Sequence, residues 1–428
     1  MAGSDLVTQA WQFLGALPFG SLVAIFWLVL LIEMPRYFVG IQATAAALLL
    51  SDWRRPAPLT RTPRISILLV GHNEETTLEK CVWSLRSQTY QNFEIVCVDD
   101  GSSDATFSIM TRLQREGLVQ SVARLDLRGG KASGINLAAR MARSEFFVVV
   151  DCDCSFEPDA IEELVRPLMT DPSIAAVSGN ILVRNWRVSL TASMQAIEYL
   201  VSISLGKAYS NVLDQVSCVS GAFGAFRRRA WEQIGGMDVG GGEDLDFTMR
   251  LRLAGCRVVF ARHSICYTDA PDTVYALLRQ RNRWERDAFW IRFRKYRRVM
   301  NPFSPGFSWR DAAHQWDFIL FNMVPTLAFP FYVTWLFTNF GDFAPIVLVA
   351  VAIALFAVDL PVFVCAVLVT GKPVYWRLLP FLPLYGLFQS YLMRFDRIYA
   401  YVTEWIWALS LTDNYVPQKV RDWAVWRR

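Results

Sequence analysis

Charge is what this 428-residue sequence has least of. Lys, Arg, Asp and Glu make up 19% of it, against about 25% in an ordinary soluble domain. Histidine is scarcer still, with three residues, which leaves little material for an imidazole-bound zinc centre. The eight cysteines contain no Cys-x-x-Cys, and only Cys152 and Cys154 lie close together. That pattern excludes a zinc ribbon or a disulfide framework. The cysteines are expected as buried small hydrophobes in a reducing compartment. Internal repeats and low-complexity tracts are also missing. The net charge of +4 is too small to carry a nucleic-acid interface.

Apolar residues are abundant instead, at 53% with 16 tryptophans and a mean hydropathy of +0.26. They concentrate at the two ends of the chain, and the middle reads as a soluble α/β unit. The expected division is a membrane anchor over residues 1–53, a catalytic-type domain over 54–310, and a membrane region with a basic tail over 311–428. About 20 apolar residues cross a bilayer. The first stretch, Phe19 to Leu50, is expected as one helix kinked at Pro35 or as one crossing helix plus an interfacial piece. Later runs at 317–337, 344–370, 376–393 and 396–411 suggest three to four helices. The last two are expected as a hairpin or as partly interfacial segments. Basic residues flank these runs at Arg54, Arg55, Arg61 and Arg64, at Arg292 to Arg298, and at Lys419, Arg421, Arg427 and Arg428. The positive-inside rule places them, and the middle domain, on the cytoplasmic side of the plasma (inner) membrane. "MAGSD" carries no basic residue, so the first stretch is expected as a retained anchor rather than a signal peptide.

Within the middle, "ISILLVG" (65–71) and "FEIVCVDDG" (93–101) read as buried strands. "QSVARLD" and "EFFVVVDCDC" (145–154) read as two more. Helices are expected over 75–88, 105–116 and 131–142, and further helical stretches, against the membrane or on the domain surface, over 186–206 and 274–298. Alternating strand and helix predicts a mostly parallel, doubly wound sheet, whose ligands bind at the carboxyl ends of strands. Asn73, Glu74, Asp99, Asp100, Asp151 and Asp153 sit at those ends.

The stretch "DCDC" raises a choice between soft thiolate and hard carboxylate ligands. Strand alternation puts Asp151 and Asp153 on one face and Cys152 and Cys154 on the other. With no histidine nearby, the carboxylate pair is favoured. It suits Mg²⁺ or Mn²⁺ held together with substrate phosphates.

Four blocks in order then resemble the membrane-embedded, processive family 2 glycosyltransferases, the group of cellulose, chitin, hyaluronan and poly-N-acetylglucosamine synthases. They are "GHNEE" with "VDDGSSD", "DCDC", "GGGEDLDF" and "QRNRW". Together they span about residues 65–290. The resemblance implies a glycosyltransferase-A-type, Rossmann-like sheet domain set between membrane helices. It also implies an inverting enzyme that polymerises UDP-glucose or UDP-N-acetylglucosamine into a β-linked glycan and translocates it.

By the same resemblance, Asp99 or Asp100 binds the uridine, and Gly71, His72, Asn73 and Glu74 line the nucleotide. Lys131 approaches the diphosphate, while Asp153 with Asp151 holds the metal. Asp244 is the implied general base, with Glu243 and Asp246 as its neighbours. Gln280, Arg283 and Trp284 lie at the acceptor and diphosphate, and Ser220 and Gly221 let the glycan pass. Gly242 departs from the threonine usual in the family. The implied partners are a UDP-sugar, a growing glycan and the lipid bilayer; the sequence names no export subunit. The alternative is a non-processive glycolipid synthase, similar to ceramide glucosyltransferases. Glu33, Asp359, Arg394, Asp396 and Glu404, polar residues in apolar runs, favour a translocating enzyme. The chain shows no soluble domain after its apolar runs, so no cyclic-dinucleotide-binding barrel is expected.

Overall fold

The computed structural model describes residues 2–422 apart from 28–29, 32–33, 36–39, 52–58, 60, 239, 306 and 413–420. Glu33, Arg54, Arg55, Lys419, Arg427 and Arg428 lie outside the described residues. The centre is an eight-stranded sheet. β1 is Ile65–Gly71, β2 Phe93–Asp100, β3 Ser121–Leu125 and β4 Phe146–Asp151. β5 is Ser155–Phe156, β6 Ile174–Val183, β7 Phe223–Arg227 and β8 Arg257–Thr268. The spatial order is β3-β2-β1-β4-β7-β6-β8-β5.

Runs of β-branched and large apolar residues form the inner strands, and both their faces are covered. β2 and β6 are buried along their whole length. Each such Val, Leu or Ile contributes about 1.5–3 kcal/mol when removed from water. The first half of the sheet, β3-β2-β1-β4, is parallel throughout, with helices between successive strands. The second half departs from the expected mostly parallel sheet. β7 runs antiparallel to both of its neighbours, β4 and β6, and the short β5 runs antiparallel to β8. The sheet is therefore mixed. The inversion has a positional consequence: the segment entering β7, which carries Ser220 and Gly221, lies at the end where β1, β2 and β4 finish.

Two of the expected elements are shifted. The first helix starts at Leu78 rather than residue 75, because Thr76 and Thr77 are spent in a turn closed on the Glu74 carbonyl. β4 stops at Asp151, so residues 152–154 form a turn rather than continuing the strand.

The segment over 190–212 is helical, with a π-helical middle at Tyr199–Leu205. The side chain of Ser189 caps its start by accepting from Ala192 N. It packs under the C-terminal helices, where the Tyr375 hydroxyl donates to the Val183 carbonyl at 3.0 Å. Helix Val274–Trp290 lies along helix Met393–Trp407. Glu285 ties them by accepting from Arg397 Nε at 3.0 Å and from the Tyr401 hydroxyl at 2.8 Å.

Trp309–Thr370 is a helical stretch of 62 residues that is long and apolar enough to cross a membrane, the one such stretch among the described residues. Gly341, at φ 51°, divides it at the expected "TNFGD" turn. The final two apolar runs are not a hairpin. Helical structure is continuous from Leu382 to Trp407 through a π-helical turn at Phe388–Leu392. A helix at Ala2–Ala16, not anticipated from the sequence, sets Ala10 against the core of the stretch that begins at Ala344.

Candidate active site

A cavity of about 830 Å³ opens at the carboxyl ends of β1, β2 and β4. Such a volume holds a nucleotide-sized ligand. Its floor comes from the loop after β1. Asn73 adopts φ 59° there, a left-handed conformation that asparagine tolerates better than most residues. The loops after β1 and β2 lock this geometry. Asn73 N donates to Ser102 Oγ at 3.0 Å, and Asn73 Oδ1 accepts from Ser103 N at 2.9 Å. The Asp100 carbonyl accepts from His72 Nδ1 at 2.8 Å, which fixes the imidazole tautomer.

The two aspartates ending β2 part company. Asp100 lines the cavity, and its carboxylate accepts from Gly129 N at 2.7 Å and Gly130 N at 3.0 Å. That brings the start of helix Lys131–Met141 to the rim. Asp99 does not reach the cavity. It is fully buried, paired with Arg124 at 3.1 Å and accepting from Ser102 N. Of the two residues expected at the nucleoside, Asp100 alone lines the cavity.

Asp151 and Asp153 line the cavity, and Cys152 touches its wall, but Cys152 and Cys154 are buried at 3% and 2% exposure in the main core. The strand ends at Asp151, so alternation does not sort residues 152–154: Cys154 is kept out of the cavity, whereas Cys152 borders it. Burial pushes the Cys152 thiol up, and the neighbouring Cys266 together with burial does the same for Cys154. Neither is poised as a thiolate ligand.

Lys131 Nζ lies 2.5 Å from Asp151 Oδ1 and donates to the Gly221 carbonyl at 3.1 Å. Burial works against its charge, but Asp151, Glu243 and Asp244 outweigh that and hold its pKa above the ordinary lysine value. The acids pay the converse penalty. Burial and the neighbouring Asp153 raise the Asp151 pKa despite Lys131. Burial and the same aspartates raise that of Glu74. Burial and Asp244 raise that of Glu243.

Asp244 is the second residue of helix Glu243–Leu253. Its Oδ2 accepts from Gly221 N at 3.2 Å and its Oδ1 from Leu245 N at 2.8 Å, and the side chain still faces the cavity. Asp246 is removed from the competition for the base. It is buried, paired with Arg250 at 2.9 Å and Lys295 at 2.6 Å, and accepts from the Tyr296 hydroxyl. Glu243 remains beside Asp244 in the cavity wall. Gly242 sits at φ 67°, and a Cβ there would come within 2.8 Å of Ile291 Cδ1. This conformation explains why threonine is not accommodated.

Gln280, Arg283 and Trp284 project from helix Val274–Trp290 into the same cavity. Trp284 is 38% exposed, and the Gln280 Oε1 is buried without a hydrogen-bond partner among the described residues, an acceptor in position for a ligand donor. Arg281 points away, pairing with Glu198 at 2.8 Å and stacking on Trp284 at 4.5 Å. Ser220 and Gly221 form the wall opposite.

Three further residues were not singled out from sequence. The Arg184 guanidinium grips Asp269 with two bonds, at 3.0 and 2.6 Å, and donates to the Asp153 carbonyl at 3.1 Å and to Ser155 Oγ at 2.8 Å. Thr268 Oγ1 donates to Asp153 Oδ2 at 3.1 Å. Lys207 stands behind Ser220. Each acts across a long sequence gap and forms no local motif.

The donor set fits a hard divalent cation. Glu74, Asp151, Asp153, Glu243 and Asp244 give the cavity more carboxylates than Lys131 can neutralise, and they are oxygen ligands throughout. Among the described residues, no three His, Cys, Asp or Glu side chains group closely enough to cage an ion alone. Such residues would supply part of a coordination shell, with substrate phosphate and water completing it.

Residues 66–235 match the family model described as glycosyl transferase family 2. Curated relatives include the poly-β-1,6-N-acetyl-D-glucosamine synthases of Staphylococcus epidermidis and of Staphylococcus aureus strain COL. Each is 29% identical over 221 residues, covering 51% of this chain and 53% of the relative. The chain thus matches about half the length of these relatives. Among solved structures, a mannosyltransferase from Pyrobaculum calidifontis, in complex with GDP-Man and Mn²⁺, aligns with a TM-score of 0.53 at 22% identity. The alignment covers 86% of this chain and 99% of that one, a likeness of fold. Over residues 66–235 the chain is thus similar to family 2 glycosyltransferases.

Proposed function

We propose that this protein is an inverting, metal-dependent glycosyltransferase. It draws on a UDP-sugar, UDP-glucose or UDP-N-acetylglucosamine, and extends a β-linked polysaccharide that it passes toward a membrane. The observation that carries the reading is the convergence of Asp153, Lys131, Asp244 and Trp284 on one cavity. The likeness to poly-β-1,6-N-acetyl-D-glucosamine synthases supports a polysaccharide product.

In this reading the loop Gly71–Glu74 and Asp100 seat the nucleoside. Asp153, with Asp151 beside it, would hold Mg²⁺ or Mn²⁺, which supplies charge stabilisation for the departing diphosphate. The neighbouring fold binds Mn²⁺ with its nucleotide sugar, in keeping with that choice. Lys131 and Arg283 add cationic hydrogen-bond donors beside the phosphates. Asp244 takes the proton from the acceptor hydroxyl as that oxygen attacks the anomeric carbon from the face opposite the leaving group. An α-linked donor then gives a β-linkage. The Trp284 face supports the sugar at the end of the acceptor.

Export is supported by a second cavity. About 160 Å³ of space lies among the C-terminal helices, lined by Glu198, Asn322, Asp359, Gln389, Arg394 and Arg397. The helical segment carrying Glu198 also presents Tyr199 and Ile203 to the catalytic cavity. A polar path through apolar helices suits a hydrated glycan. Asp359 and Arg394 fit that part. Glu404 does not: it is fully buried and bonded by the Ser410 hydroxyl at 2.7 Å and the Ser410 amide at 2.8 Å. Asp396 does not line the cavity, and Glu33 is outside the described residues. The apolar stretch Trp309–Thr370 supports insertion in a membrane, and the basic residues Arg292 to Arg298 before it support a cytoplasmic side for the catalytic domain.

The test is product size. Purified protein is incubated with each radiolabelled UDP-sugar in turn, with no added lipid. Long polymers are expected, with shorter or fewer chains from Trp284→Ala. A product limited to one sugar on an extractable lipid would instead establish a glycolipid synthase.

A further inference from the structure

The turn Ser220–Gly221 is held by three charged groups at once. Gly221 N donates to Asp244 Oδ2 and the Gly221 carbonyl accepts from Lys131 Nζ. From behind, Lys207 Nζ donates to Ser220 Oγ at 2.5 Å and to Ser178 Oγ at 2.9 Å. Lys207 belongs to helix Gly206–Val212, directly after the π-helical Tyr199–Leu205. Its ammonium has hydroxyl partners and no carboxylate within salt-bridge distance among the described residues. Burial lowers its pKa, as expected of a cation withdrawn from water. A charge kept there at a cost calls for a purpose beyond packing.

The hydrogen-bond inventory supplies one. An ammonium only donates, whereas a serine hydroxyl has one proton to give and two lone pairs to receive. Ser178 is fully used: it accepts from Lys207 and from Ser220 N at 3.3 Å, and donates to the Gly179 carbonyl at 3.3 Å. Ser220 is not. Its oxygen accepts from Lys207, and no acceptor for its proton is found among the described residues. The side chain lines the catalytic cavity beside Asp244.

We propose that Lys207 is a positioning residue for the acceptor, holding Ser220 so that its hydroxyl donates a hydrogen bond to a sugar oxygen next to the hydroxyl that Asp244 deprotonates. The inference rests on the proposed acceptor side of the cavity. The ammonium removes the alternative in which the Ser220 proton turns backward to Ser178. It therefore selects acceptors that present a hydroxyl or ring oxygen at this point, as a saccharide does and an alkyl surface does not.

Lys207→Met keeps the aliphatic stem and removes the charge. It is compared with Ser220→Ala and with the double variant, using UDP-N-acetylglucosamine as donor and a short N-acetylglucosamine oligomer as acceptor. Each single variant is expected to lose roughly tenfold in kcat/KM for the acceptor, the worth of about one hydrogen bond. The double variant is expected to be no worse than either, because both remove the same contact. UDP-N-acetylglucosamine affinity and Tm should stay at the parent values. Multiplying losses, an unchanged Lys207→Met, or a loss that follows Tm would overturn the proposal while leaving the transferase reading intact. A parent protein that transfers no sugar would overturn both.

Discussion

The Lys131 ammonium and the Asp151 carboxylate stand 2.5 Å apart, and this pair separates the tasks of the two aspartates in the Asp-x-Asp turn. Asp151 is engaged by a cation of the protein. Asp153 takes only neutral donors, the Thr268 hydroxyl on Oδ2 at 3.1 Å and the Cys154 thiol on Oδ1 at 3.5 Å, and is the better placed of the two to meet a metal. Asp153→Ala is therefore expected to abolish metal-dependent UDP-sugar binding, a drop of more than about 100-fold by calorimetric titration, beyond the range for outer-shell changes. Cys152→Ser with Cys154→Ser should retain the metal dependence, with some loss of Tm from polar atoms in an apolar core. Metal loss in the cysteine variant with binding intact in Asp153→Ala would reverse the assignment.

Arg184 fixes the same turn from outside by binding the Asp153 carbonyl and clamping Asp269. Arg184→Met should raise the Mn²⁺ concentration for half-maximal activity by about 10–100-fold. With metal in excess, kcat should return to within about twofold of the parent. A fall in kcat that no amount of metal restores would assign Arg184 a different part.

Burial and Asp244 raise the Glu243 pKa in the folded protein above its ordinary value of 4.5. For an acid shifted in this direction, the stabilising contribution is complete below the unfolded pKa and is lost as pH rises through the folded one. At neutral pH the ionised Glu243 works against folding. Glu243→Gln is thus expected to raise Tm at pH 7–8 without added metal, and to give no gain near pH 4. Thermal melts across that range check the sign; a variant less stable at pH 7 than at pH 4, relative to the parent, would contradict it.

Gly242→Thr introduces the residue usual in the family that the chain resembles, at a position where φ is 67° and a Cβ meets Ile291. The left-handed conformation alone costs a residue with a Cβ about 1–2 kcal/mol. A lower Tm and weaker transfer are expected together. An unchanged melting curve would show that the turn relaxes freely.

Legibility from sequence followed the range of the interactions. β1 was readable to the residue, because seven consecutive apolar or small residues between polar flanks leave little else to form. β7 was not, since its direction depends on pairing Val148 with Ala225, far apart in sequence. The cavity residues sat inside short motifs, and all those named except Asp99 and Asp246 line it. Asp99 failed because adjacent strand residues point to opposite faces, and the face it took is closed by Arg124. Arg184, Lys207 and Thr268 carry no local signature. Their positions follow from how β6, β8 and helix Gly206–Val212 assemble.

Asp244→Asn is the most direct measurement of the central claim, because it keeps the shape of the side chain and removes its basicity. Transfer from a UDP-sugar and binding of the same donor are measured side by side on the parent and the variant with Mn²⁺ present. The account predicts unchanged donor affinity and a loss of transfer of about 10²–10⁴-fold, the range for removing a general base. Transfer at close to the parent rate would contradict it and pass the role to Glu243.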